Sequence, residues 1–118
     1  MTYVDGFVVA VPKAKVAEYT EFSRRAGEVW KEHGALQYVE CVADDVPYGE
    51  LTSFPRAVQA TNDETVVFAW ITYNSREHRD TINAKVMADP RLKEMGMSVA
   101  PFDGKRMIYG GFTTLLEM

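Results

Sequence analysis

Two stretches of this chain are apolar on both parities, and that limits what they can build. In Tyr3 to Val11, one parity carries Val4, Val8 and Ala10 and the other carries Phe7, Val9 and Val11. In Thr65 to Tyr73, Val67, Ala69 and Ile71 oppose Val66, Phe68 and Trp70. β-Branched and aromatic residues at this density predict strands. A strand in an antiparallel sheet with one wet face alternates apolar with polar residues. These two do not, so both faces of their sheet need a cover.

The remaining elements show how much cover the chain supplies. Val16, Tyr19, Phe22, Ala26, Val29, Trp30 and His33 recur at three- and four-residue steps between charged residues, which predicts an amphipathic helix closed by Gly34. Ala35 to Ala43 reads as a second strand, followed by a loop at Asp44 to Gly49. Residues 52–61 fit either one helical turn capped by Ser53 or an edge strand tolerating Pro55, with the turn preferred. Ser75 is placed to cap a helix whose inner side is His78, Ile82 and Val86. Asp89-Pro90 ends it and opens a short helix that stops at Gly96. Arg106 to Leu116 reads as the last strand.

The order strand–helix–strand, strand–helix–strand predicts an α+β fold. It is a ferredoxin-like split βαβ antiparallel sheet with its helices on one face, in one domain over residues 1–118. Two helices cover one face only. The other would leave an apolar patch larger than monomers usually carry. A second copy, sheet against sheet about a two-fold axis, is the simplest cover, so the sequence predicts a homodimer resembling a dimeric α/β barrel.

Composition narrows the function classes. The 13 basic and 17 acidic side chains give a formal net charge of −4. They are spread evenly, with 6 basic against 9 acidic in residues 1–59 and 7 against 8 in residues 60–118. No basic arm or patch exists for nucleic-acid phosphates or an anionic membrane surface. One cysteine, Cys41, excludes an internal disulfide and reads as a small packed side chain. No basic region precedes the first apolar run, and that run is too short to span a bilayer, so the expected location is the cytoplasm.

The segments YVDGFVVAVP, VECVADDVP, SFPRAV, ETVVFAWITYNS and PFDGKRMIYGGF resemble the YbaA-like family of small bacterial proteins of unknown function, over essentially the whole chain. That family is similar to the dimeric α/β-barrel superfamily, which includes cofactor-free oxygenases, heme-degrading monooxygenases, small-ring isomerases and dye-decolourising peroxidases. The resemblance implies the barrel-like dimer and leaves the reaction open. In the heme-degrading branch an Asn on the first strand, a Trp on the third and a His on the second helix serve the heme. Asp5, Trp70 and His78 stand at comparable places, but a carboxylate lacks the amide donor, and no cofactor is expected.

Candidate chemistry collects on one presumed parity: Asp5, Phe7, Tyr38, Glu40, Phe68, Trp70, Met107 and Tyr109. Carboxylates in an apolar stripe are costly unless paired or solvated. Placed on one face, these residues predict an aromatic-walled pocket of Phe7, Tyr38, Phe68, Trp70 and Tyr109. Asp5, Glu40 and His78 are then its candidate acids or bases. The simpler reading pairs each carboxylate with Arg106, Arg56 or Arg79. Asn74, Ser75, Arg76 and Arg79 cluster at a helix start that suits an anion, or act only as ordinary capping with exposed arginines. No metal site is expected, because no two of His33, His78, Glu40, Asp44 and Asp45 form a ligating pair. Met87, Met95, Met97 and Met107 read as core or lid filler. The functions left are a dimeric small-molecule-binding protein, a cofactor-free oxygenase or isomerase, and a dimer without a ligand.

Overall fold

The computed structural model describes residues 2–96 and 100–118. Met97 lies outside them. The chain runs β1 (Tyr3–Pro12), a 3-10 turn (Lys13–Lys15), α1 (Val16–Glu32), β2 (Gln37–Val42), α2 (Phe54–Ala57), β3 (Glu64–Tyr73), α3 (Arg76–Ala88), α4 (Pro90–Met95) and β4 (Ile108–Thr113). The strands form one antiparallel sheet in the order β2-β3-β1-β4. This is the expected split βαβ topology.

Local chemistry sets the boundaries. α1 ends where Gly34 adopts φ +116°, and the Gly34 and Ala35 amides turn back to the Lys31 and Trp30 carbonyls. Ser75 Oγ accepts from the His78 amide and Asp89 Oδ1 from the Arg91 amide, so α3 and α4 start where the sequence places them. Residues 52–61 take the helical turn: Ser53 Oγ accepts from the Arg56 amide at 3.2 Å. β4 is shorter than the predicted Arg106 to Leu116. Its register opposes Thr113 to Tyr3, the first residue of β1, so pairing ends there. At the other end a set of polar contacts holds Arg106 outside the strand.

Those contacts form a clamp. Arg106 donates to both carboxylate oxygens of Glu64, at 2.8 and 2.7 Å, to the Gln59 carbonyl at 2.9 Å and to Asp103 at 3.0 Å. The hydrogen bonds from Arg106 hold the Glu64 carboxyl at about 2, below its ordinary 4.5. A carboxyl lowered on folding stabilises the fold above its unfolded pKa and loses that contribution as pH falls through the folded one. We therefore expect the wild-type chain to lose about 1–2 kcal/mol between pH 4.5 and pH 2 through this pair, after allowance for solvent screening. Denaturant midpoints for wild type and Glu64→Gln should converge across that window; a constant gap would contradict it.

Register assigns the faces. Asp5, Phe7 and Val9 oppose Ile71, Ala69 and Val67, which oppose Tyr38, Glu40 and Val42. This face lies under the helices, where Val9, Val11, Val67 and Ala69 pack with Tyr19, and Ile71 and Tyr73 pack with Val29, Ile82 and Val86. Val8 opposes Phe68 and Ile108, and Gly6 opposes Trp70, which opposes Val39. Phe68 and Trp70 therefore stand on the far face, not beside Asp5 and Phe7 as the presumed parity had them.

The far face is partly covered. Val58, which follows α2, is fully buried against Ala10 and Val66, with Ala43 and Ala60 beside it. Towards the other end Phe68 is 41% exposed, Ile108 45% and Phe112 63%, and Phe54 meets Phe68 edge-on. Cα extents of 38 × 38 × 21 Å describe a slab one sheet and one helix layer thick, with this apolar area on its uncovered side.

Candidate functional site

Between the sheet and α1, α3 and α4 lies a cavity of about 520 Å³. Phe7, Val9, Ala26, Trp30, Ile71 and Met107 supply apolar walls, and Tyr109, mostly exposed and stacked on Phe7 at 6.4 Å, stands at the β4 side. The charged side chains in its lining are Asp5, Glu40 and Arg79. They form two separate poles. Asp5 opposes Ile71 and Tyr38, whereas Glu40 opposes Ala69 and Phe7. Two strand spacings and two residues put their Cα atoms about 12 Å apart, so the carboxylates do not act on one atom.

At the first pole Asp5 is 6% exposed, and Arg79 donates to its Oδ1 at 2.7 Å. The guanidinium carbon lies 5.0 Å from the centre of the Tyr3 ring. Burial raises the Asp5 carboxyl above its ordinary value, with the Arg79 charge opposing. Asn83 accepts from Trp30 Nε1 at 3.2 Å. The Tyr73 hydroxyl is buried beside Asp5, and burial first, then the Asp5 charge, pushes it well above its usual range. The arginine pairing weighed from the sequence is thus present for Asp5, through Arg79.

At the second pole Tyr19 donates to Glu40 Oε1, and Tyr38 donates to Oε2 at 3.0 Å. Tyr38 and Glu40 are alternate residues of β2 and share its inner face, so one strand carries both. Burial first, then the Glu40 charge, pushes both tyrosine hydroxyls well above the usual range, so both remain donors. Gly27 makes room for this. A Cβ there would fall 2.8 Å from the Tyr38 ring, so any larger residue displaces the tyrosine. Tyr19, Ser23, Tyr38 and Glu40 also line an outer groove of about 490 Å³ that continues to Thr20, Arg24, Glu28 and Lys31. Glu40 thus stands in the wall between cavity and groove.

The other sequence candidates are dispersed. Phe68 is outside the cavity. Trp70 touches its border, but its indole packs on Phe68 and donates to Gln37 Oε1 at 3.2 Å. His78 sits at the start of α3, where its Nδ1 accepts from the Asn74 amide at 3.0 Å, and it is not in the lining. Asp5, Trp70 and His78 therefore do not converge as a heme-binding set would require. Arg79 turns inward to Asp5, while Arg76 is exposed and 3.9 Å from Asp80, so the group Asn74, Ser75, Arg76 and Arg79 does not close on one anion. His33 lies 2.9 Å from Asp89, at the C-terminal end of α1. Among the described residues, no three His, Cys, Asp or Glu side chains gather to hold a metal, and no helix is long and apolar enough to cross a membrane.

Tyr19, Trp30 and Asn83 are site residues that sequence reading did not select. Tyr19 and Trp30 were visible as members of the apolar seam of α1, but a seam that packs and a seam that walls a cavity have the same spacing. Asn83 carried no signal.

Residues 2–104 match the family described as "Protein of unknown function (DUF1428)". The chain is 56% identical to the uncharacterized protein YbaA of Escherichia coli strain K12, over 99% of each chain. In fold it is similar to an uncharacterized NIPSNAP domain protein from Burkholderia xenovorans, with TM-score 0.61, 14% identity and coverage of 95% and 93% of the two chains. It is also similar to a candidate antibiotic biosynthesis monooxygenase from Nitrosomonas europaea, with TM-score 0.58, 14% identity and coverage of 97% and 90%. At these identities the two structural likenesses concern the fold.

Proposed function

Since this chain belongs to the DUF1428 family of proteins of unknown function, whose description carries no chemistry, we propose from the site itself that it is a homodimeric small-molecule-binding protein. The ligand is a compact, largely apolar or aromatic molecule held between sheet and helices. The observation that carries this reading is the cavity of about 520 Å³, walled by Phe7, Trp30, Ile71 and Met107 and polar only at two ends. Concave apolar sites with a few placed polar groups are what small ligands use. The dimer forms through the far face around Phe68, Ile108 and Phe112, whose exposure on a two-layer slab supports a second copy as its cover.

Naphthalene is a suitable neutral probe. Chemical-shift changes on titration should centre on the Val9, Ile71 and Met107 methyls. Ala26→Leu, which fills the cavity from α1, should weaken binding by roughly tenfold or more, at a stability cost below about 2 kcal/mol. Shifts confined to the far face, or unchanged affinity in the filled variant, would contradict the reading.

A second reading rests on the raised Asp5 carboxyl in that cavity, and on the monooxygenase description of the Nitrosomonas protein of similar fold. In it the same cavity carries a cofactor-free oxygenase or isomerase reaction, with Asp5 or Glu40 moving a proton of the substrate. Turnover of a bound ligand that disappears in Asp5→Asn or Glu40→Gln, with binding retained, would favour it. Binding with no turnover favours the first reading.

A further inference from the structure

Resting on the ligand-binding reading, we propose that the Glu40 end of the cavity selects ligands presenting a proton donor, either a phenolic or enolic hydroxyl or an ammonium group, and rejects carboxylates. Among the described residues no lysine, arginine or histidine lies within ion-pair distance of Glu40; its two oxygens hold only the hydroxyls of Tyr19 and Tyr38. A carboxylate oxygen accepts two hydrogen bonds, so each keeps a free position.

The cations nearby, Arg24 and Lys31, line the outer groove and not the cavity. Arg24, on the outer groove, pairs with Glu21 and Glu28, and Lys31 donates to the Leu36 carbonyl at 2.8 Å. Arg79 is bound to Asp5 at the other pole. With Asp5, Glu40 and Arg79 as the charged residues of the lining, the cavity carries one net negative charge in its ionised state, and that charge sits at Glu40. Inside apolar walls a charge acts over a longer range than in water. A carboxylate ligand is repelled there, while a hydroxyl or ammonium completes the acceptor positions that the tyrosines leave open. Tyr19 and Tyr38 remain protonated, so they orient the carboxylate without adding charge.

Four bicyclic probes of one shape test this: naphthalene, 1-naphthol, 1-naphthylmethylammonium and 1-naphthoate, titrated calorimetrically into the full chain. The naphthol and the ammonium should bind roughly tenfold or more tighter than the naphthoate. In Glu40→Gln that preference should shrink to within about twofold, because the amide keeps the shape and removes the charge. Naphthoate binding as tightly as the ammonium in the wild type overturns the proposal, whether or not the variant folds. A preference that survives Glu40→Gln also overturns it. In either case, naphthalene binding would leave the cavity reading standing; failure of all four probes would remove both.

Discussion

Arg79→Ala lowers folding stability by about 3 kcal/mol at neutral pH, a fall in Tm of roughly 10 °C for a chain of this size. The cause is Asp5, 6% exposed, which keeps its charge in an apolar cavity because the guanidinium is 2.7 Å away. Removing one partner of such a pair leaves an uncompensated charge, which costs far more than the intact pair contributes. Asp5→Asn in the same chain should therefore restore most of the loss. The pH dependence has a definite sign. Burial already raises the Asp5 carboxyl, and without Arg79 its largest opposing influence is gone, so its folded pKa lies further above the unfolded one. That cost is complete above the folded pKa and vanishes as pH falls below the unfolded value. The Arg79→Ala chain should thus gain stability on mild acidification, down to the range where the Glu64–Arg106 clamp begins to fail. Calorimetry on the single and double variants checks this, and an absence of rescue by Asp5→Asn would refute it.

Phe112→Asp and Ile108→Asp should each weaken the proposed dimer by roughly a hundredfold or more, because each places an unpaired carboxylate in the middle of an apolar contact, a cost of about 3 kcal/mol. Both side chains are exposed on the protomer, and the Phe112 ring lies beside Gly6 and Gly110, which offer it no side chain. Folding of the protomer should be little affected. Sedimentation equilibrium should find the wild-type chain dimeric at micromolar concentration and both variants monomeric. A monomeric wild type would end the pairing argument.

Most of the fold was legible in the residues. Capping at Ser53, Ser75 and Asp89 and the Gly34 and Gly96 stops placed the helices, and the two-sided apolar strands identified β1 and β3. The site was less legible, for a physical reason. Parity tells which residues of one strand share a face, but relating two strands requires their register, and a slip of one residue exchanges the faces. Asp5, Phe7, Tyr38 and Glu40 share one face by register. Phe68 and Trp70 were placed with them, although register sets Phe68 opposite Val8 and Trp70 opposite Gly6. Likewise, the fit of Val58 over Ala10 and Val66 depends on where the loop after β2 returns, which no local pattern encodes. The tyrosine pair on Glu40 was half visible: Tyr38 is two residues away on the same strand, while Tyr19 arrives from a helix 21 residues earlier.

The two sheet faces carry different work, a ligand beneath the helices and a partner on the bare side, and the indoles of the two tryptophans report them separately. Trp30 lines the cavity, and Trp70 stands on the far face beside Phe68. The direct test is the emission of two single-tryptophan chains, Trp70→Phe and Trp30→Phe, followed through naphthalene titration and through dilution from micromolar to low nanomolar concentration. Trp30 emission should respond to naphthalene and not to dilution, and Trp70 emission should shift to the red on dilution with little response to naphthalene. The reverse pattern, or a Trp70 signal indifferent to concentration, would contradict that division of work.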